Sequence, residues 1–490
     1  MASNLCLMSS APNFAVEPES AASTMAKPVR MLAGFPWVSA IILYTLSWGW
    51  SLLRPNTLYW DDWSLSLADN PIEIWSSGKN TGLAPWARLF DWMLIAIGIW
   101  PVRFLTFGLF FGATLLLYKT LQRGLKRISL TTQGFVALIL LVIPVNHARI
   151  SVIVFDYTTS YFLFYLGWFV LVRYKSTKSF VLACVVLFLS FKTHSFLFFV
   201  LLPFLHFVWL NRASLLNLKK LSLVHFQVFV IAVLPVLYVI SRSVFWPPSE
   251  SWQDYQQPTR AGVLTGLWPV LIGLVGMSII GVRRLKKLRT PVGLVLLIVG
   301  FSITALALFP YFAGELYVGY AGRPAYLTVF EFRADWRSRH QLLMPLGLSL
   351  SVVGLNELLK WRGKNVVVLT VLVISVGLNM FWGSQYFLQS HKQEQLVELF
   401  KTTKSEVEIA SVEDQTKRFN GRESTFRSYE WNGFMTLAGI PTDRPGCEAL
   451  PSGSALTLKS DTSYLQALAT RDLGLYFEIK PCSEVLAQNN

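Results

Sequence analysis

The sequence predicts an all-α polytopic membrane protein of about 11 transmembrane helices, counting one helix per apolar run of roughly 20 residues. It also predicts interfacial helices in the first outer loop and a small α+β C-terminal extracytoplasmic domain. Three observations carry this. Charged residues make up 14% of the 490-residue chain and hydrophobic residues 53%, whereas soluble proteins carry about 25% charged residues. Apolar runs of spanning length recur from Leu32 to Phe387. Basic residues sit in short clusters between alternate runs, the pattern that sets membrane orientation.

Taken in order, the runs are Leu32–Leu53, Pro101–Lys119, Leu130–Pro144, Val152–Val172, Phe180–Phe191, Phe196–Leu210, Val224–Phe245, Ala261–Val282, Val292–Phe312, Gln341–Leu359 and Val366–Phe387. The fifth and sixth form a hairpin that turns at Lys192–Ser195. Residues 1–30 read as a disordered cytoplasmic leader. They lack the basic start and apolar core of a cleaved signal, and the first span is read as retained. Residues 31–389 form the membrane domain, with 54–100 as its first outer loop, and 390–490 the C-terminal domain.

The basic clusters are Lys119 to Arg127, Arg173 to Lys178, Arg212 to Lys220, Arg283 to Arg289 and Lys360 to Lys364. All fall on one side if the N-terminus is cytoplasmic, which places the C-terminal domain outside. The net charge of +15 is therefore a topological signal, and nucleic acid is excluded as a partner. Most acids before residue 390 fall on the opposite side, close to span ends. In the tail, Cys447 and Cys482 are expected to pair in an oxidising compartment. No N-x-S/T sequon occurs. With the compact length, this favours a bacterial or archaeal plasma (inner) membrane.

The first outer loop opens on "TLYWDDWSL", Thr57 to Leu65, with Asp61 and Asp62 adjacent. Helix-like text follows, broken by Pro71 and Pro85, with Arg88 and Asp91 as a local pair. Amphipathic helices of this kind lie flat at the interface and suit an enzyme acting at the lipid surface. A carboxylate can take the proton of an attacking hydroxyl. Adjacent side chains diverge, so the two acids have different jobs. The plain alternative is that Asp62 caps a helix. A leaving phosphate needs cations, and the candidates are Lys192, His194, Arg333, Arg337, Arg339 and His340. Lys192 at a hairpin tip can instead simply reach water. His147, Arg149 and Asp156 crowd the outer ends of spans three and four, with Asp156 placed to pair with Arg149.

An N-terminal span, an outer acidic pair just beyond it, interfacial helices and a second span beginning "VRFLTFGLFFGATLLLYKTLQR" together resemble the GT-C superfamily of membrane glycosyltransferases. Protein mannosyltransferases and lipid A aminoarabinose transferases are members. "APWARLF" (84–90) loosely matches a further element. "LSFKTHSFLFFVLLP" resembles the family's Ser-Lys-Glu turn, with Lys192 matching the Lys and Thr193 replacing the Glu. "FRADWRSRHQLLMP" resembles its late Arg-rich segment. The resemblance covers roughly Leu32 to Phe387. It implies a polyprenyl-phosphate-linked sugar donor and a glycan, lipid or protein acceptor. It also implies Asp61 as general base with Asp62 as its partner, and a divalent metal (Mg or Mn) at the pair remains open. The rival readings are a lipid-linked glycan flippase or transporter, an O-antigen polymerase or ligase, and a non-catalytic membrane scaffold.

Overall fold

The computed structural model describes residues 34–60, 62–63, 84, 96–124, 128–216, 222–249, 260–285, 291–313, 336–359, 365–402, 409–413, 417–418, 422–423, 428–439, 454–458, 477–481, 483–484 and 487. They are mostly helical. The helices in chain order are α1 (Trp37–Trp48), α2 (Ile99–Gly124), α3 (Leu130–Val142), α4 (Phe155–Arg173), α5 (Thr177–Ser190), α6 (Phe196–Phe199), α7 (Leu201–Leu210), α8 (Arg212–Leu215), α9 (Leu223–Phe245), α10 (Arg260–Leu285), α11 (Val292–Ala313), α12 (Met344–Leu359) and α13 (Val366–Thr402).

Five helices are long and apolar enough to cross a membrane: Ile99–Arg123, Leu223–Phe245, Arg260–Arg283, Val292–Ala313 and Val366–Phe387. Their outward residues are apolar. Val244, Phe245, Leu264, Trp268 and Val373 are all more than 60% exposed, as lipid-facing side chains are and as water-facing ones seldom are. This is the make-up of a polytopic helical membrane protein. The remaining expected spans are shorter apolar helices, such as α3 and α5, or are interrupted by polar text. The 12-residue α1 gives way to a 3-10 turn at Gly49–Leu52. In α4, Asp156 occupies the first turn.

Local signals explain the boundaries. Ser129 accepts a hydrogen bond from the Thr132 amide at 3.1 Å and caps α3. Ser176 does the same for α5 through Ser179, and Ser222 with His225 closes a capping box on α9. Pro235, Pro269 and Pro310 lie inside α9, α10 and α11, a placement that membrane helices tolerate better than soluble ones.

Helices α11 and α12 pack backbone against backbone. Gly293 and Gly300 on one face Gly347 and Gly354 on the other. A Cβ at Gly300 would lie 2.5 Å from the Ser351 amide nitrogen, and one at Gly354 would lie 2.5 Å from that of Leu297. Small residues permit such approach where lipid supplies no hydrophobic driving force. Gly300→Val is therefore expected to separate the pair and to destabilise the protein by about 1–3 kcal/mol or more. A thermal midpoint equal to that of the native protein in detergent would refute this packing.

The expected boundary at residue 390 falls inside a helix. The apolar run of α13 ends near Phe387, but helix-forming text continues to Thr402. This extension packs on the loop that follows α1: the Gln393 amide donates to the Leu58 carbonyl at 3.0 Å, Thr57 meets Ser390 at 2.9 Å, and Arg54 pairs with Glu394. Beyond it, β1 (Ile409–Glu413) pairs parallel with β4 (Ser454–Leu458), and β4 antiparallel with β5 (Phe477–Pro481). β2 (Lys417–Arg418) and β3 (Arg422–Glu423) form a small ladder. Helix α14 (Ser428–Ala438) packs on α13. Its Gly433 abuts the indole of Trp63, and Phe434 meets the same ring edge-on at 4.7 Å. The tail thus contacts the loop that carries the acidic pair. Cys447, Cys482 and most of residues 64–95 lie outside the described residues.

Candidate functional site

The segment joining α3 to α4 is the hub. Asn146 adopts a left-handed backbone with φ 58°, a conformation Asn tolerates well. Two 3-10 turns follow, His147–Ile150 and Val152–Val154. The Asn146 amide donates to Gln341 Oε1 at 3.2 Å and the Ala148 amide to Ser338 Oγ at 2.7 Å, both acceptors on the 3-10 turn Trp336–Gln341. His147 Nε2 lies 3.1 Å from Asn379 Oδ1 on α13. Three segments far apart in sequence therefore converge at one end of the bundle.

Asp62 ties the loop between α1 and α2 to this hub. Its Oδ1 accepts from Ser151 Oγ at 2.5 Å and from the Ile153 amide at 2.9 Å, while Oδ2 accepts from the Tyr59 amide at 3.0 Å. Arg103, in the first turns of α2, lies 3.7 Å from Oδ2, donates to the Thr57 carbonyl and sits over the Tyr59 ring. Asp62 is 1% exposed and Arg103 4%. Burial raises the Asp62 carboxyl above the usual carboxylate range, opposed by Arg103, Ser151 and the Ile153 amide. The amide that Asp62 accepts from its own loop is that of Tyr59, three residues before it, whereas an N-cap takes amides of the residues that follow, and residues 64–70 lie outside the described residues. Its larger engagement is with Ser151, Ile153 and Arg103. With three donors and a guanidinium already around it, the carboxylate does not fit a divalent cation, which Arg103 would repel. Among the described residues, no three His, Cys, Asp or Glu side chains group to hold a metal.

Lys192 does not reach water. It is 6% exposed, and its Nζ donates to Asp156 Oδ1 at 2.8 Å. This corrects two expectations. Asp156 pairs with Lys192 rather than Arg149, because the α5–α6 turn folds under the first turn of α4. Lys192 also already has a counter-charge. Thr193, which stands where the resembled family has Glu, donates to Ser160 Oγ at 2.9 Å and fixes the same turn to α4. Tyr311 on α11 sits among Ser195, Tyr157 and Arg339, so Arg339 comes to the same end of the bundle. Burial, with Arg242 nearby, pushes His194 down to about 3. Its ring faces that of Tyr238.

Arg149 packs its guanidinium against two rings, its Cζ 3.2 Å from the centroid of Trp48 and 4.4 Å from that of Phe110. His147 is 1% exposed. Burial, with Arg149 adding, pushes it down to about 3. Of the other expected site residues, Asp61, Arg88 and Arg333 lie outside the described residues, as do the side chains of Arg337 and His340.

Sequence reading missed Arg103, Ser151, Ser338, Gln341 and Asn379. Arg103 and Asn379 carried a usable signal, a strongly polar residue within an apolar run. Ser151, Ser338 and Gln341 carried none, because nothing in a sequence says which distant backbone amide a serine or glutamine meets.

No family model, no curated protein and no solved structure matches this chain.

Proposed function

We propose that the chain is a membrane glycosyltransferase that moves a sugar from a polyprenyl-phosphate donor to a hydroxyl acceptor on the outer face of the plasma membrane. The observation that carries this reading is the Asp62 clamp. It holds the loop of the acidic pair against a hub where buried charged and polar side chains meet the ends of apolar helices. Surface chemistry on a lipid-linked substrate calls for that placement. A flippase calls for charges lining a path at midspan, whereas Asp62, Arg103, Arg149, Asp156 and Lys192 all gather at one end.

In this mechanism Asp62 is the anchor and Asp61 the base. An unperturbed Asp is ionised at neutral pH, with a pKa of about 3.9. As the acceptor oxygen bonds to the anomeric carbon, its proton passes to the Asp61 carboxylate. The bond from the anomeric carbon to the donor phosphate breaks, and polyprenyl phosphate leaves carrying the electron pair. Cations at the hub stabilise that leaving group, the term that dominates catalysis when charge develops in a dry site.

The finer topology belongs to the same reading. About 11 spans, with the short apolar helices counted in, place the N-terminus in the cytoplasm and the tail outside. A cysteine introduced at Lys286 is expected to resist membrane-impermeant labelling of intact cells; labelling there from outside overturns the orientation. The activity is tested by incubating the purified chain with a panel of labelled polyprenyl-phosphate sugars and candidate acceptors. Transfer from one donor is the expected result. Movement of label across a bilayer without transfer favours the flippase.

A further inference from the structure

Arg149 is the one buried charge at the hub with no counter-ion among the described residues. Asp62 has Arg103 and Asp156 has Lys192. Arg149 is 8% exposed, and its Nη2 is buried with no hydrogen-bond partner. Burial brings its pKa down only to about 10, so it stays protonated at neutral pH. Trp48 and Phe110 pack against the guanidinium carbon, while Nη2 on its edge is left without a partner, and guanidinium edge donors suit phosphate.

Two further buried polar atoms border the same indole without a partner: Nε1 of Trp48 itself, and Nδ1 of His147, whose ring lies 5.1 Å from that of Trp48. The hydrogen on His147 is assigned by its neighbours. Asn379 Nδ2 donates to the Val142 carbonyl at 2.5 Å, which turns the Asn379 oxygen toward His147 Nε2. That nitrogen therefore carries the proton, and Nδ1 is a bare acceptor. The three atoms together ask for an oxyanion and a hydroxyl. Leaving a buried charge and two polar atoms unmet is costly.

We propose that the edge of Arg149, with Trp48 Nε1 beside it, anchors the phosphate of a sugar phosphate, and that His147 Nδ1 accepts a hydrogen bond from a hydroxyl of its sugar. This rests on the glycosyltransferase reading for the lipid carrier, but not for the anion. It also changes the division of labour at the hub. Lys192 holds Asp156, and Arg149 meets the donor.

The test is direct binding, without catalysis. The probes are undecaprenyl phosphate, undecaprenol and inorganic phosphate, titrated onto the full chain in detergent. Undecaprenyl phosphate is expected to bind at least tenfold more tightly than undecaprenol, and Arg149→Gln to abolish that difference. Trp48→Phe keeps a ring over the guanidinium but removes one donor, so it is expected to weaken binding a few-fold. It serves if Arg149→Gln does not fold. Equal binding of the phosphate and the alcohol to the native chain overturns the proposal, as does undiminished preference for the phosphate in folded Arg149→Gln, or in Trp48→Phe where that is the variant that folds. Inorganic phosphate that competes with the lipid and is itself lost in Arg149→Gln supports a free-anion source for the same site. Arg149-dependent phosphate binding with no transfer from any donor in the panel leaves the site standing and removes the glycosyltransferase reading. Transfer with full phosphate binding in the variants does the reverse.

Discussion

Asp61→Asn is expected to slow sugar transfer by about 100- to 10,000-fold, the usual contribution of a positioned general base, while leaving the thermal midpoint and undecaprenyl phosphate affinity unchanged. The substitution keeps the shape of the side chain and removes only its capacity to take a proton. Its neighbour Asp62 is occupied by the clamp with Ser151, Ile153, Tyr59 and Arg103, in keeping with separate roles for the two acids. Turnover and melting should be measured on the same preparations, with whichever donor the panel identifies. An Asp61→Asn enzyme that turns over at the native rate removes the base from the mechanism, and with it the main reason to read the chain as a transferase.

Asp62→Ala is expected to act on stability first. Removing one member of a buried ion pair strands the other, which costs about 3–5 kcal/mol, and here Arg103 would be stranded at 4% exposure. Ser151, the Ile153 amide and the Tyr59 amide would lose their acceptor as well. Asp62→Asn should be intermediate, since one oxygen remains but the new amide group faces existing donors. Activity should fall with stability in both variants, through release of the loop from the α3–α4 segment. A folded Asp62→Ala protein with the native midpoint would show that the clamp does not hold the loop. Normal stability combined with a dead enzyme would exchange the roles of the two aspartates.

Several features were legible in the sequence because they are written in local text. The apolar runs predict helices wherever Leu, Val, Ile and Phe recur without charge, and five of them form helices long enough to cross a membrane. The turn at Lys192–Ser195 was marked by its polar residues between two apolar runs. The caps at Ser129, Ser176 and Ser222 are likewise local signals, each satisfied within three residues. The crowding of His147, Arg149 and Asp156 at span ends was visible as charge where charge is expensive.

Pairing between distant segments was not legible. The sequence brings Asp156 and Arg149 within seven positions of each other, which made them natural partners, yet the chain folds Lys192 under Asp156 from 36 positions away. Arg149 then goes to Trp48 and Phe110. Asp62 finds Ser151 across 89 positions, and the extension of α13 reaches Leu58 across 335. Composition and periodicity determine that a helix forms and which side of it is apolar, because those are set by the residues of that helix. Which buried charge receives a counter-ion depends on which helix ends meet. Only the packing of the whole bundle decides that, and it is packing that gives a carboxylate to Lys192 and, among the described residues, none to Arg149.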